Sequence, residues 1–233
     1  CAGSEALDRA RRDPEFLLQL IEGRYVSGNR QLVEQLDKAL DLYMDGRQDD
    51  LLGRLQVFRA ARQSRLGGPD PWLEPNLTDR PGGLLEINAI RAACRIAASI
   101  RSLEDAIFRG YLTRQEVDFL RKAEKTYARM LSLLHHVSGD SGGVLRFDDQ
   151  EVLANRLGYS ARSGFLPVEM FMQEIHQLLH GVSCIGQEFW ERLEEGRQAD
   201  GSGEELVARA IEEGLSARDG KIQIHPEHYA ATA

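Results

Sequence analysis

One interruption governs what this chain can fold into. Apolar residues recur at helical spacing along most of its 233 residues, but between Gly67 and Gly83 the pattern stops. Gly67-Gly68-Pro69-Asp70-Pro71 cannot continue a helix, because proline has no amide donor and a fixed φ. The irregular stretch runs on through Trp72-Leu73-Glu74-Pro75-Asn76 to Pro81-Gly82-Gly83. A connection this long inside a compact domain is functional or disordered. Trp72, Leu73 and Leu77 argue for order.

Helices are predicted on both sides of the loop. Asp13-Pro14-Glu15 starts one, with an N-cap acid and proline in the first turn, and Phe16, Leu17, Leu20 and Ile21 line its face. Leu32, Val33, Leu36 and Leu40 mark a second, and Leu51, Leu52, Leu55 and Phe58 a third over roughly Asp49 to Arg62. Helix resumes at Leu84, with Ile87, Ile90, Cys94 and Ala97 on one face. A short helix led by Ser102 ends at Gly110. Thr113-Arg114-Gln115-Glu116 is a capping box; the helix it opens carries Val117, Leu120, Tyr127, Leu131 and Leu134. Asp148-Asp149 is expected to cap a helix through Leu157, and a longer helix follows Pro167, with Phe171, Ile175, Leu178, Val182, Ile185 and Phe189 inward. Gln198 to Gly203 reads as a polar linker, followed by a short acidic helix. Gly214 to Ile224 alternates around Asp219-Gly220, a hairpin signal. The expected fold is mostly α: a helical bundle with a long ordered loop and a small C-terminal β-hairpin.

Apolar residues make up 42% of the chain, enough to build a core. The formal net charge of −8 argues against a nucleic-acid partner, which requires a basic surface; a local basic patch remains compatible with it. No apolar run approaches the roughly 20 residues that span a bilayer. Cys1, Cys94 and Cys184 are widely spaced and form no Cys-x-x-Cys. They suit a reducing cytoplasm, with Cys94 and Cys184 expected as small core residues. The start at Cys1, without an apolar leader, reads as a fragment or processed chain.

Catalytic patterns are sparse. His176 and His180 lie one helical turn apart, but Gln177 follows the first where a zincin has glutamate, and no third ligand is evident. His135-His136 ends an apolar helix, where cations suit the dipole. There is no Gly-x-Ser-x-Gly elbow or Walker loop. No Asp-x-Asp occurs, the pair that would hold metal ions on one face of a nucleotidyltransferase strand; Asp148 and Asp149 are adjacent and would face opposite sides. Gly82-Gly83 sits at a helix N-terminus, where amides and dipole favour an anion, with Arg80 beside it. That pair is either a phosphate contact or a purely structural tight turn.

The segment Leu73 to Ile87, reading Leu-Glu-Pro-Asn-Leu-Thr-Asp-Arg-Pro-Gly-Gly-Leu-Leu-Glu-Ile, resembles the signature of the PII uridylyltransferase/uridylyl-removing family. Glu22-Gly23-Arg24-Tyr25-Val26-Ser27-Gly28-Asn29, Arg109-Gly110-Tyr111-Leu112-Thr113, Leu134-His135, Leu145-Arg146-Phe147-Asp148-Asp149-Gln150, Leu157-Gly158-Tyr159 and Val168-Glu169-Met170-Phe171-Met172 follow that family's order. The related glutamine-synthetase adenylyltransferases share the Pro-Gly-Gly-Leu stretch but fit the Phe-Asp-x-Gln and Leu-Gly-Tyr segments less well.

The resemblance implies a bacterial nitrogen-signalling enzyme that joins a transferase domain, this helical region, a metal-dependent phosphohydrolase domain and glutamine-sensing ACT domains. It moves UMP from UTP, with Mg2+, onto the PII signal protein. Residues 1–28 would then be the tail of the transferase domain, 29–197 the helical bundle, and 198–233 a linker, short helix and hairpin leading towards the hydrolase. The Asp-x-Asp core is expected before Cys1 and the hydrolase ligands after Ala233. The fragment itself carries no catalytic residue, no metal and no cofactor. Its expected partners are its own transferase domain, in cis or in trans, UTP and PII, with no nucleic acid and no membrane. Glu74, Asn76, Arg80, Gly82, Gly83 and Glu86 are the active-site-loop candidates, closing over the nucleotide or bracing the site. Thr78 and Leu85 stand where the family pattern has lysine and arginine, and Glu86 where it has aspartate. Two phosphate contacts implied by the family are thereby missing, one of which the guanidinium of Arg80 could replace. That loss favours a second reading, a non-enzymatic helical module for domain assembly or docking.

Overall fold

A computed structural model describes residues 2–65, 72–139, 142–162, 164–212, 215–218 and 221–224, with side chains given for 5–62, 72–139, 142–162 and 164–197. Helix dominates, as the periodicity predicts. By contacts the chain divides into two units, Cys1–Phe189 and Trp190–Ala233.

The first unit holds α1 (Ala2–Ala10), α2 (Pro14–Ile21), α3 (Arg30–Met44), α4 (Gln48–Arg65), α5 (Leu84–Ala98), α6 (Leu103–Phe108), α7 (Arg114–Ser138), α8 (Phe147–Arg156) and the start of α9 (Pro167–Glu212). Local chemistry sets most of these ends. Asp13 accepts hydrogen bonds from the amides of Glu15 and Phe16 at the start of α2. Both halves of the Thr113–Glu116 capping box are formed. Gly139, at φ 68°, closes α7 in the left-handed conformation that glycine adopts cheaply.

Helix α5 is central. Ala89, Ala92 and Ala93 are buried as well as Ile87, Ile90 and Cys94, so it is apolar nearly all round, as a fully enclosed helix must be. It packs against α2, α4, α6 and α7. Its polar residues reach out as ties. The Arg95 guanidinium, almost fully buried, binds Asp37 at 2.5 Å and Asp41 at 2.8 Å on α3. Arg101 binds the same two carboxylates. Arg91 forks onto Glu124 of α7 at 2.7 and 2.5 Å and reaches Glu22 at 3.4 Å. Burial works against the Asp37 charge, but the hydrogen bonds from Arg101 and Arg95 outweigh it and hold that carboxyl below the usual range.

The charged residues from Ala2 to Ala10 form a helix, α1. Four local expectations are corrected. Cys184, expected in the core, is exposed on α9. The N-terminal half of α3 is not buried: Leu32 is 62% exposed, and only Leu40, Tyr43 and Met44 enter the core. Helix α8 is not capped by Asp148 or Asp149, which occupy its first turn; Arg146 is the cap residue and makes no side-chain cap bond. Residues 198–203 continue α9; each glycine there costs a helix only about 1 kcal/mol.

In the second unit, β1 (Leu215–Arg218) and β2 (Lys221–Ile224) pair antiparallel, Leu215 opposite Ile224 and Arg218 opposite Lys221. The Asp219-Gly220 turn lies outside the described residues. Among the described residues no helix is long and apolar enough to cross a membrane.

Candidate functional site

The described part of the loop that the sequence singles out, from Trp72 onward, is tied at every step. Asn76 folds an Asx turn: its Oδ1 accepts from the amides of Thr78 and Asp79, both at 2.8 Å. Its Nδ2 donates to the Gly142 carbonyl at 3.1 Å. The backbone then pairs with the segment before α8: the Leu77 amide donates to Gly143, and the Leu145 amide to Pro75, each at 2.9 Å. Glu74 accepts the amide of Phe147 at 2.9 Å, so it supplies the oxygen that the α8 cap residue does not. Gln150 donates to the carbonyls of Leu73 and Leu145. Glu74 and Asn76 are therefore occupied within the fold.

Gly82 and Gly83 are both buried. Gly82 has φ 81°, and a Cβ there would overlap the carbonyl of Leu179 on α9. Its own carbonyl accepts the hydroxyl of Tyr127, from the inner face of α7, at 2.9 Å. Gly83 is the N-cap of α5, and a Cβ would stand 2.7 Å from the Thr78 carbonyl. Four amides open this helix, and the loop's own carbonyls take all four. Gly83 donates to Arg80, Leu84 to Leu77, Leu85 to Thr78 and Glu86 to Gly83. An anion at a helix N-terminus needs such donors free. The geometry here is that of the structural tight turn.

Arg80 is 9% exposed, and its guanidinium carbon lies 4.1 Å from the centre of the Trp72 ring, within cation–π range. The Trp72 ring also meets His176 of α9, ring centres 6.2 Å apart. Burial, followed by the Arg80 charge, holds the His176 imidazole below its usual pKa. Glu86 is buried and ion-paired with Arg59 of α4. It also presses on α9, where a Cβ at Gly186 would stand 2.5 Å from the Glu86 carboxylate. Arg62, one turn after Arg59, pairs with Asp79. Leu85 lines the same narrow gap as Arg59 and Arg62, and the Thr78 side chain faces Gly143.

Five of the six candidates thus converge on one clasp. Glu74 and Asn76 hold α8 and its approach, Gly82 seats on α9, Gly83 starts α5, and Glu86 joins α4 to α5. Arg80 packs under Trp72 at its edge. Sequence reasoning missed the partners: Tyr127, Leu179, Arg59 and Gly186. Tyr127 carried a signal, being a hydroxyl on an otherwise apolar helix face; the others are set by tertiary contact. His176 and His180 are not joined by a third ligand: among the described residues no three His, Cys, Asp or Glu side chains could share a metal ion. His180 instead neighbours Cys184, with Nε2 3.7 Å from Sγ.

Fold and loop together define a helical bundle clasped by an internal Pro-Gly-Gly turn. The chain belongs to the GlnD PII-uridylyltransferase family, whose model matches residues 53–190, from α4 through the clasp into α9. It is 31% identical over 173 residues to a bifunctional uridylyltransferase/uridylyl-removing enzyme of Aromatoleum aromaticum, covering 74% of this chain and 20% of that protein. The enzyme so named from Cereibacter sphaeroides is 29% identical over 82% of this chain and 20% of its own length. That from Ectopseudomonas mendocina is 25% identical over 98% and 25%. The chain therefore spans about a fifth to a quarter of these relatives. No solved structure matches it.

Proposed function

We propose that this chain is the helical accessory region of a uridylyltransferase of the PII-modifying kind, and that it works by holding shape for a catalytic core it does not contain. In that reading the core transfers UMP from UTP, with Mg2+, to PII in the cytoplasm as part of nitrogen regulation. Residues 1–28 lead out of the transferase domain, 29–197 form the bundle, and 198–233, closing in a hairpin, lead towards the hydrolase. The carrying observation is that the family match runs through the whole clasp. The loop from Glu74 to Glu86 then braces the neighbouring active site from behind, since its amides and carboxylates are engaged inside the bundle.

The test is an assay of this chain with UTP, Mg2+ and PII, alone and mixed with a relative's transferase core lacking its helical region. The expected outcome is no transfer alone and a gain when mixed. Uridylylation by the chain alone would sink the reading.

The second reading, a non-catalytic docking module, draws support from Thr78 and Leu85 in place of the family's lysine and arginine. Hydrogen exchange during a UTP titration separates the two. A docking module leaves exchange around Gly82 and Gly83 unchanged, whereas a brace next to bound nucleotide slows it.

A further inference from the structure

The turn Leu157-Gly158-Tyr159 does not belong to the clasp, yet it forms one wall of a cleft of about 300 Å3. The other walls are α7, through Lys125 and Arg129, and α9, through Glu174. We propose that this cleft is a binding site for a small anion carrying two or more phosphate groups.

Lys125 and Arg129 are exposed and make no ion pair or hydrogen bond with any described residue. They lie four residues apart on α7, and so about 6 Å apart on one face. The nearby acids have partners of their own. Glu174 accepts the Tyr159 hydroxyl at 2.5 Å and has the Lys122 ammonium at 3.9 Å. Glu124 is forked by Arg91 on the other side of the helix. The cleft thus sets two cations, Lys125 and Arg129, against the single carboxylate of Glu174 in a chain of net charge −8, and a concave wall concentrates their field. Phosphate fits this pair better than carboxylate does. Guanidinium forks onto two of its oxygens and ammonium meets a third as a point charge, and a cleft of this volume has room for a chain of phosphates.

Separation from the clasp follows from helix geometry. Tyr127, two residues from both cations, points inward to Gly82, so Lys125 and Arg129 project from the opposite side of α7. Gly158, with φ 81°, makes the turn, and a Cβ there would meet open space.

The experiment is calorimetric titration of the whole chain with inorganic pyrophosphate, without divalent metal, and with citrate as a carboxylate of similar charge. The expected result is one saturable pyrophosphate site, weakened at least about tenfold in K125Q/R129Q, with citrate much weaker. K122Q, which leaves both cations, should stay within about threefold. A circular dichroism melt shows whether each variant is folded. The proposal is overturned if the chain shows no saturable pyrophosphate binding, if the folded double variant binds as tightly as the parent, or if citrate binds equally well.

Discussion

The hydroxyl of Tyr127 donates a 2.9 Å hydrogen bond to the carbonyl of Gly82, a residue 45 positions earlier in the chain. Both groups are buried, so neither has water as a substitute. Burial also pushes the Tyr127 phenol well above its usual pKa, which keeps it a donor across the working range. Removing the hydroxyl leaves a buried carbonyl without this bond. Y127F should lose about 1–2 kcal/mol of stability in urea unfolding, with its helical circular dichroism unchanged.

Gly82 itself is more demanding. Alanine there would need a left-handed backbone and would collide with the Leu179 carbonyl. G82A should cost at least about 3 kcal/mol or fail to fold. Gly110 has a similar φ, 74°, with open space around it, so G110A should cost only about 1–2 kcal/mol. Equal losses in the two variants would show that backbone strain alone, without the seat on α9, sets the requirement.

Glu74 takes the place of a cap for α8. E74A removes the acceptor of the Phe147 amide and should cost about 1 kcal/mol, while E74Q keeps an oxygen and should lose less. Thermal melts of the pair decide this. A larger loss in E74Q than in E74A would contradict the capping role.

His176 makes the fold pH-sensitive in a defined direction. Its folded pKa lies below the usual value of about 6.5 because of burial first and the Arg80 charge second. Between the two pKa values the unfolded chain holds a proton that the folded chain refuses, so stability falls as pH drops below about 6.5 and recovers above it. Urea midpoints measured from about pH 7.5 to about pH 5 should show this decline, and H176F should flatten it.

The two described thiols should react differently. Burial pushes Cys94 up to about 12, whereas Cys184 is exposed on α9. Iodoacetamide applied to the native chain should label Cys184 and leave Cys94 intact until denaturant is added, as read by peptide mass spectrometry. Native labelling of Cys94 would mean that α5 opens readily.

Much of this architecture is legible in the sequence. Asp13, Ser102 and Thr113 announce helix starts because a cap is a local bond between a side chain and an amide two or three residues on. The loop was legible as a feature, since proline and glycine interrupt helix by covalent geometry alone. Its role was not. Whether Gly82-Gly83 faces a phosphate or a helix depends on Leu179, nearly a hundred residues away, and no local pattern carries that contact. The exposure of Leu32 has the same origin: amphipathic spacing states which residues share a face, and only the tertiary fold states whether another surface covers it.

Thr78 and Leu85, two of the three loop positions at which the resemblance implies another residue, are bonded to one another, Leu85 amide to Thr78 carbonyl at 3.2 Å. Their main-chain bond is one that any residue but proline at 85 supplies, while their side chains touch neighbours, Leu85 beside Arg59 and Arg62 and Thr78 against Gly143. Gly82 admits no side chain at all. A lineage could exchange the chemistry displayed at 78 and 85 while their main-chain bond is kept, and so retune what lies beside the loop.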